Sequence, residues 1–143
     1  MNKRIGTPLA DTRKLKLAIR EEEDISRSRR AAFGLMAAVA FSPAEQTRFA
    51  TAISELTRNI IKYAFDGECA LATYADDRKK RIEAWVQDRG PGIADLKQAL
   101  ERGFSTSGTL GHGLNGARDL VDGFRIESSP SGTRVWIMME RSR

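Results

Sequence analysis

The sequence predicts an α/β fold of the α+β kind: a two-layer sandwich in which a mixed, mainly antiparallel sheet carries its helices on one face. Three observations lead there. Strand-like alternation recurs in five segments, most of them joined by short polar turns. Two helical apolar stripes stand side by side in the N-terminal half, and elements each apolar on one face bury themselves most economically as two packed layers. The 143 residues, 41% apolar and 30% charged, furnish one core and leave no room for a second, so residues 1–143 read as a single domain.

In chain order, Leu15, Leu17 and Ile19 alternate with Lys14, Lys16 and Arg20 as a half-buried strand does. Ile25, Ala32, Phe33, Leu35, Met36 and Val39 then fit a helical stripe over 22–40, weakened slightly by Gly34. Ser42-Pro43-Ala44-Glu45 joins an N-cap serine, a proline at the first helical position and a glutamate three residues after the cap, so a second helix starts here. Phe49, Ala52, Ile53, Leu56, Ile60 and Ile61 carry its apolar face to about residue 64, where Gly67 marks the exit. Strands are expected at 69–74 and 81–87, with the polar run Asp76-Asp77-Arg78-Lys79-Lys80 as their turn. A short helix after Ile93, a glycine-rich loop and a helix over 113–121 come next. Strands at 124–128 and 133–140 close the chain, joined by Ser129-Pro130-Ser131-Gly132.

The charge-free stretch around the apolar region, residues 31–44, is fourteen residues long, against about 20 for a bilayer span, and Met1-Asn2-Lys3-Arg4 is followed by no apolar run. No membrane partner is expected. One cysteine, Cys69, excludes an internal disulfide and has no companion thiol for structural zinc, so a cytoplasmic location is the expectation. The net charge of +5 favours anionic partners without naming one. The clusters Arg27-Ser28-Arg29-Arg30 and Arg141-Ser142-Arg143 lack aromatic interleaving or a groove-reading motif, so they read as solvated surface or a protein contact, and no nucleic acid is expected.

Chemistry concentrates in three places. On the second helix Glu55 and Asn59 stand four apart, which puts their side chains on one face about 6 Å from each other. An amide oxygen at Asn59 suits Mg²⁺, a hard ion that takes one or two protein ligands beside substrate phosphates, and Glu55 has the chemistry to orient and deprotonate a hydroxyl. The same pair, with Lys62, also fits an ordinary solvated helix face. In Asp88-Arg89-Gly90-Pro91-Gly92-Ile93 a carboxylate ends a strand; it accepts hydrogen bonds and cannot donate, as reading the exocyclic amine of adenine requires, and Gly90 and Gly92 permit close approach of backbone to a ring. Ordinary turn chemistry explains that segment equally well. The third place, residues 103–116, packs five glycines into fourteen residues and holds no acidic side chain. Backbone N–H groups leading into a helix N-terminus there form a nest for phosphates, and a plain surface loop is the alternative. Neither the Walker A pattern nor the dinucleotide fingerprint is present.

In their order along the chain, Glu55…Asn59…Lys62, Asp88-x-Gly90-x-Gly92, Gly111-His112-Gly113-Leu114 and Gly132-Thr133 closely resemble the N, G1, G2 and closing boxes of the GHKL superfamily, whose ATPase domain is the Bergerat fold. The segments 51–60 and 103–108 further resemble the RsbT type, the switch kinases of the stressosome, and the resemblance extends over about 22–140. It implies ATP and Mg²⁺ as cofactors, with Asn59 as metal ligand, Glu55 as catalytic base or hydroxyl positioner, Asp88 as adenine reader with Gly92 and Ile93 beside it, and Thr133 near the base. Gly108, Gly111, His112, Gly113 and Leu114 would belong to the lid over the phosphates, and Lys62 to the nucleotide site. Such kinases phosphorylate serine or threonine on STAS-domain antagonists and then bind a phosphatase, a PP2C-type enzyme.

A sensor histidine kinase shares these boxes, but an upstream dimerisation helix with a substrate histidine is missing from the sequence. An anti-sigma factor of the same fold, which binds an RNA polymerase sigma factor besides phosphorylating an antagonist, is the nearer alternative. Arg58 before Asn59 and the run Phe104-Ser105-Thr106-Ser107 favour the stressosome branch. A module that holds ATP only structurally, or one that binds nucleic acid through its charge, represents other classes.

Overall fold

The computed structural model describes residues 11–64, 66–90 and 110–143. The short helix expected after Ile93, the loop residues 103–109, and with them Gly92, Ile93 and Gly108, lie outside the described residues. The elements run β1 (Asp11–Ile19), α1 (Glu22–Ala38), α2 (Pro43–Tyr63), β2 (Gly67–Ala75), β3 (Lys79–Asp88), α3 (Leu110–Asp119), β4 (Gly123–Ser129) and β5 (Gly132–Ser142).

Helix α2 starts where its cap places it: Ser42 Oγ accepts from Glu45 N at 3.1 Å, and Glu45 Oε1 accepts from Ser42 N at 2.8 Å. Helix α1 ends in a Schellman motif, with Phe41 N bonded to Met36 O and Ala40 N to Ala37 O, and Ala40 takes φ 64° to make the turn. Its start is fixed by Asp24, whose carboxylate accepts from Arg20 N at 2.9 Å and Glu21 N at 3.1 Å.

The five strands form one sheet in the order β1-β2-β3-β5-β4. Every pairing among the described residues is antiparallel, in keeping with the mainly antiparallel sheet expected from sequence. Between β3 and β5 the chain first lays β4 at the sheet edge and then turns back, and this hairpin reverses β5 against β3. Leu71, Ile82, Ala84, Val86, Val135, Ile137 and Met139 alternate inward to meet Met36, Phe49, Ile53, Leu56 and Ile60 of α1 and α2 in one core. Cys69 is buried in this core, and burial pushes its thiol up to about 12. Helix α3 begins three residues before the expected 113, at Leu110, because Gly111 and Gly113 are taken into the helix, and it ends at Asp119. It packs on α2 and buries Leu114 and Ala117. No helix among the described residues is long and apolar enough to cross a membrane.

Candidate functional site

Among the described residues, the sequence-predicted Glu55, Asn59 and Lys62 lie on the C-terminal half of α2, and the turn after Asp88 packs against its end. Asn59 lies in the penultimate turn, half-buried, and its Nδ2 is buried without a hydrogen-bond partner among the described residues. A polar atom so placed is costly to leave unmatched, and a half-turn of the amide puts the carbonyl oxygen in the same position. Glu55, one turn earlier, holds Arg58 through Oε1 at 2.9 Å. Lys62 is exposed in the last turn, where the helix dipole favours a cation.

Asp88 closes β3 opposite the start of β5. Its Oδ1 accepts from Gly90 N at 2.9 Å and from Thr133 N at 3.2 Å, which fixes the carboxylate by two backbone donors on different strands of chain. Oδ2 accepts no hydrogen bond from the described residues. Three glycines let this end of the molecule close up. A Cβ on Gly90 would stand 2.7 Å from Cβ of Ala64, so the turn after Asp88 rests against the end of α2. A Cβ on Gly67 would meet Ile60 Cδ1 at 2.9 Å, which ties the residue beside Asn59 to the start of β2. Gly132 has φ +150° and presents its Hα face to the carbonyl oxygen of Asp88, a contact that admits no side chain.

These contacts bring Asn59, Asp88, Gly90 and Thr133 to one end of the sheet, on the side that α2 covers. Gly111, His112 and Gly113 form the first turn of α3, the helix that packs on α2. Leu114, grouped with the lid by resemblance, has its side chain 2% exposed in the core, where it fastens α3. Beside Asp88 a cavity of about 260 Å³ opens under the β4–β5 turn, walled by Ser128, Ser131 and Thr133, and Ser128 and Thr133 share a hydroxyl hydrogen bond of 2.9 Å. A second cavity of about 190 Å³ lies on its other flank. There Asp66 is bracketed by Arg20 at 3.3 Å and Arg89 at 3.2 Å. Sequence spacing gave no hint of this cluster, because its members come from three separate connections, after β1, after α2 and after β3. It also passed over Asn115, buried on α3 with Oδ1 accepting from Arg118 at 2.7 Å; a buried amide beside the Gly111-Gly113 pair was the available signal.

The donor set has a clear chemistry. A fixed carboxylate oxygen at Asp88 suits an exocyclic purine amine, close backbone at Gly90 and Gly132 suits a flat ring, and the amide of Asn59 suits a hard divalent ion.

Comparison with known proteins agrees with the fold. Residues 44–143 match the family described as histidine kinase-, DNA gyrase B-, and HSP90-like ATPase. The chain is 41% identical over 118 residues to the serine/threonine-protein kinase RsbT of Bacillus subtilis (strain 168), covering 82% of this chain and 89% of that protein. Among solved structures, the RsbU and RsbW domains of a Mycobacterium tuberculosis protein superpose with a TM-score of 0.64 at 18% identity, over 92% of this chain and 33% of that one. A mycobacterial sensor histidine kinase, MprB, superposes with a TM-score of 0.52 at 18% identity over 90% of this chain and 99% of that one. At such identities the two structures speak to fold alone. The length and identity of the Bacillus match, together with the family match over residues 44–143, place this chain in the GHKL ATPase family, in its RsbT branch of serine/threonine-protein kinases.

Proposed function

We propose that this chain is a cytoplasmic kinase of a bacterial partner-switching module, which transfers the γ-phosphoryl group of ATP to a serine or threonine of a STAS-domain protein and binds a PP2C-type phosphatase. The observation that carries the reading is Asp88: two backbone N–H groups hold one carboxylate oxygen and leave the other for a ligand, beside the helix end that bears Asn59.

Phosphoryl transfer needs positioning and charge neutralisation more than covalent chemistry. Asp88 Oδ2 accepts from the adenine amine, and the Gly132-Thr133 backbone lies alongside it. The Asn59 amide would hold Mg²⁺, which would supply neutralisation of phosphate charge when bound. The backbone N–H groups at the start of α3, with Gly111, His112 and Gly113, face the phosphates, and Lys62 adds a cation at the end of α2. Glu55 keeps Oε1 on Arg58 and offers Oε2 to the substrate hydroxyl; it orients that oxygen for in-line attack and takes its proton as the new O–P bond forms and the bond to the β-phosphate bridging oxygen breaks.

Two substitutions test this. Asp88→Asn replaces an acceptor by a donor that opposes the adenine amine, so calorimetry is expected to show ATP affinity reduced about 30- to 100-fold, worth roughly 2–3 kcal/mol. Unchanged affinity would remove Asp88 from the nucleotide site. Asn59→Ala is expected to retain the circular dichroism spectrum and thermal midpoint of the parent while transfer of labelled phosphate to a STAS protein drops at least about 100-fold. Full transfer by that variant would detach Asn59 from the metal.

A further inference from the structure

The three helices of the described residues lie on one face of the sheet, and no other described element covers the opposite face. Register sets its side chains in rows. One row crosses all five strands as Lys16, Ala70, Trp85, Trp136 and Arg125, with the two tryptophans directly paired in the middle. Trp136 is held in place: Nε1 donates to Glu83 at 2.8 Å and the Arg125 guanidinium stacks 4.3 Å from the ring. Trp85 is half-buried beside the small residues Ala70 and Ala72, which leaves two adjoining hollows of about 610 and 420 Å³ that share Lys14, Ala72 and Trp85.

The hydrogen-bonding and charge state of this face is lopsided. Its carboxylates are mostly satisfied from within: Glu68 by Lys16 and Gln87, Glu140 by Arg81, Glu83 by Trp136. Around the larger hollow the Lys14 ammonium, the Arg134 guanidinium and the Trp85 indole N–H have no hydrogen-bond or ion-pair partner among the described residues. Three uncommitted donors around an apolar shelf call for carboxylates arranged about an apolar side chain. A second copy of this chain does not supply them, since face-to-face pairing would oppose the same cations and bring only Glu127, at the far edge, as an unmatched acid. Single-stranded nucleic acid would have to run its phosphates past Glu68, Glu83 and Glu140.

We infer that the open sheet face docks an acidic, apolar-anchored segment of a protein that is bound without being phosphorylated. The sheet separates this face from α2 and Asn59, so a hydroxyl held here has no path to the γ-phosphate. On the partner-switching reading, on which this assignment of the partner rests, the occupant is the phosphatase and not the STAS substrate.

The test uses Lys14→Glu, which reverses an uncommitted charge, and Ala72→Arg, which fills the shared hollow; neither touches the nucleotide site. The PP2C-type phosphatase and a STAS-domain protein of the same genome are the probes, in calorimetric titration and in transfer of labelled phosphate. The expected result is phosphatase affinity reduced at least about tenfold in both variants, with ATP affinity and the rate of transfer to the STAS protein at parent values. Undiminished phosphatase binding, or none by the parent, overturns the inference. So does parallel loss of phosphatase binding and phosphoryl transfer in variants that still bind ATP, which would make this the substrate's surface. Conversion of a parent dimer to monomers by these substitutions, or loss of salt-sensitive binding to a single-stranded oligonucleotide, would each identify a different occupant and overturn it as well. Absence of transfer by the parent strikes the kinase reading alone, because the binding titration reads the surface directly.

Discussion

At Gly132 the backbone sits at φ +150°, a region that side chains avoid, and the carbonyl oxygen of Asp88 occupies the place a Cβ would take. Both effects act on the residue next to Thr133, whose N–H holds the Asp88 carboxylate. Gly132→Ala is therefore expected to lower stability by about 1–3 kcal/mol in urea unfolding and to weaken ATP binding, because the strain is relieved by moving the Asp88 anchor. Parent-like values on both counts would mean that the turn tolerates a side chain and that the carboxylate is fixed by other contacts. Asn59 illustrates what single residues conceal. Its sequence position one turn after Glu55 is compatible with any solvated helix face, yet the fold buries its Nδ2 with no partner among the described residues, an observation on which the proposed metal-binding role of Asn59 draws.

Helix ends repay attention at the scale of elements. Ala40 occupies the left-handed position that glycine takes in most Schellman motifs, at a cost of roughly 1 kcal/mol for its Cβ. Ala40→Gly is expected to recover about 0.5–1 kcal/mol in denaturant unfolding, and a loss of stability would show that the unfolded-chain entropy of glycine outweighs the relief. At the start of α2, Glu45 has its pKa lowered chiefly by the backbone N–H of Ser42, with the Ser42 side chain and the Arg141 guanidinium adding to it. A folded-state pKa below the unfolded value means the unfolded chain binds more protons in acid. The stabilisation is present above the unfolded value of about 4.5 and is lost as pH falls through the lower folded value. Denaturant unfolding from pH 7 to pH 3 is expected to show a falling stability whose slope is shallower in Glu45→Gln; identical slopes would show that the capping box contributes nothing to acid sensitivity.

For the molecule as a whole, Arg141 joins what the chain order keeps apart. It reaches Glu45 at the start of α2 at 2.7 Å and Asp122 before β4 at 2.6 Å, so the last strand locks the helical layer to the far edge of the sheet. Such long-range links, like the Arg20–Asp66–Arg89 cluster, leave no trace in local periodicity, because sequence patterns report which face of an element is apolar and not what stands opposite. The elements themselves were legible for the same reason: Ser42-Pro43-Ala44-Glu45 names its helix start, and the alternation in 81–87 names an inward face of Ile82, Ala84 and Val86. The glycine-rich run was legible as a feature and misjudged as a boundary, since glycines at 111 and 113 lower helix propensity by only about 1 kcal/mol each, which packing of Leu114 and Ala117 on α2 offsets. Sequence alone thus determined the two layers, the single core and the identity of the chemically capable residues, all of which follow from local pattern and side-chain type. Tertiary structure alone decided that every described strand pairing is antiparallel, that Asp88 is pinned by a strand 45 residues further along the chain, and that no described element covers the tryptophan face, because each of these depends on which distant segments meet.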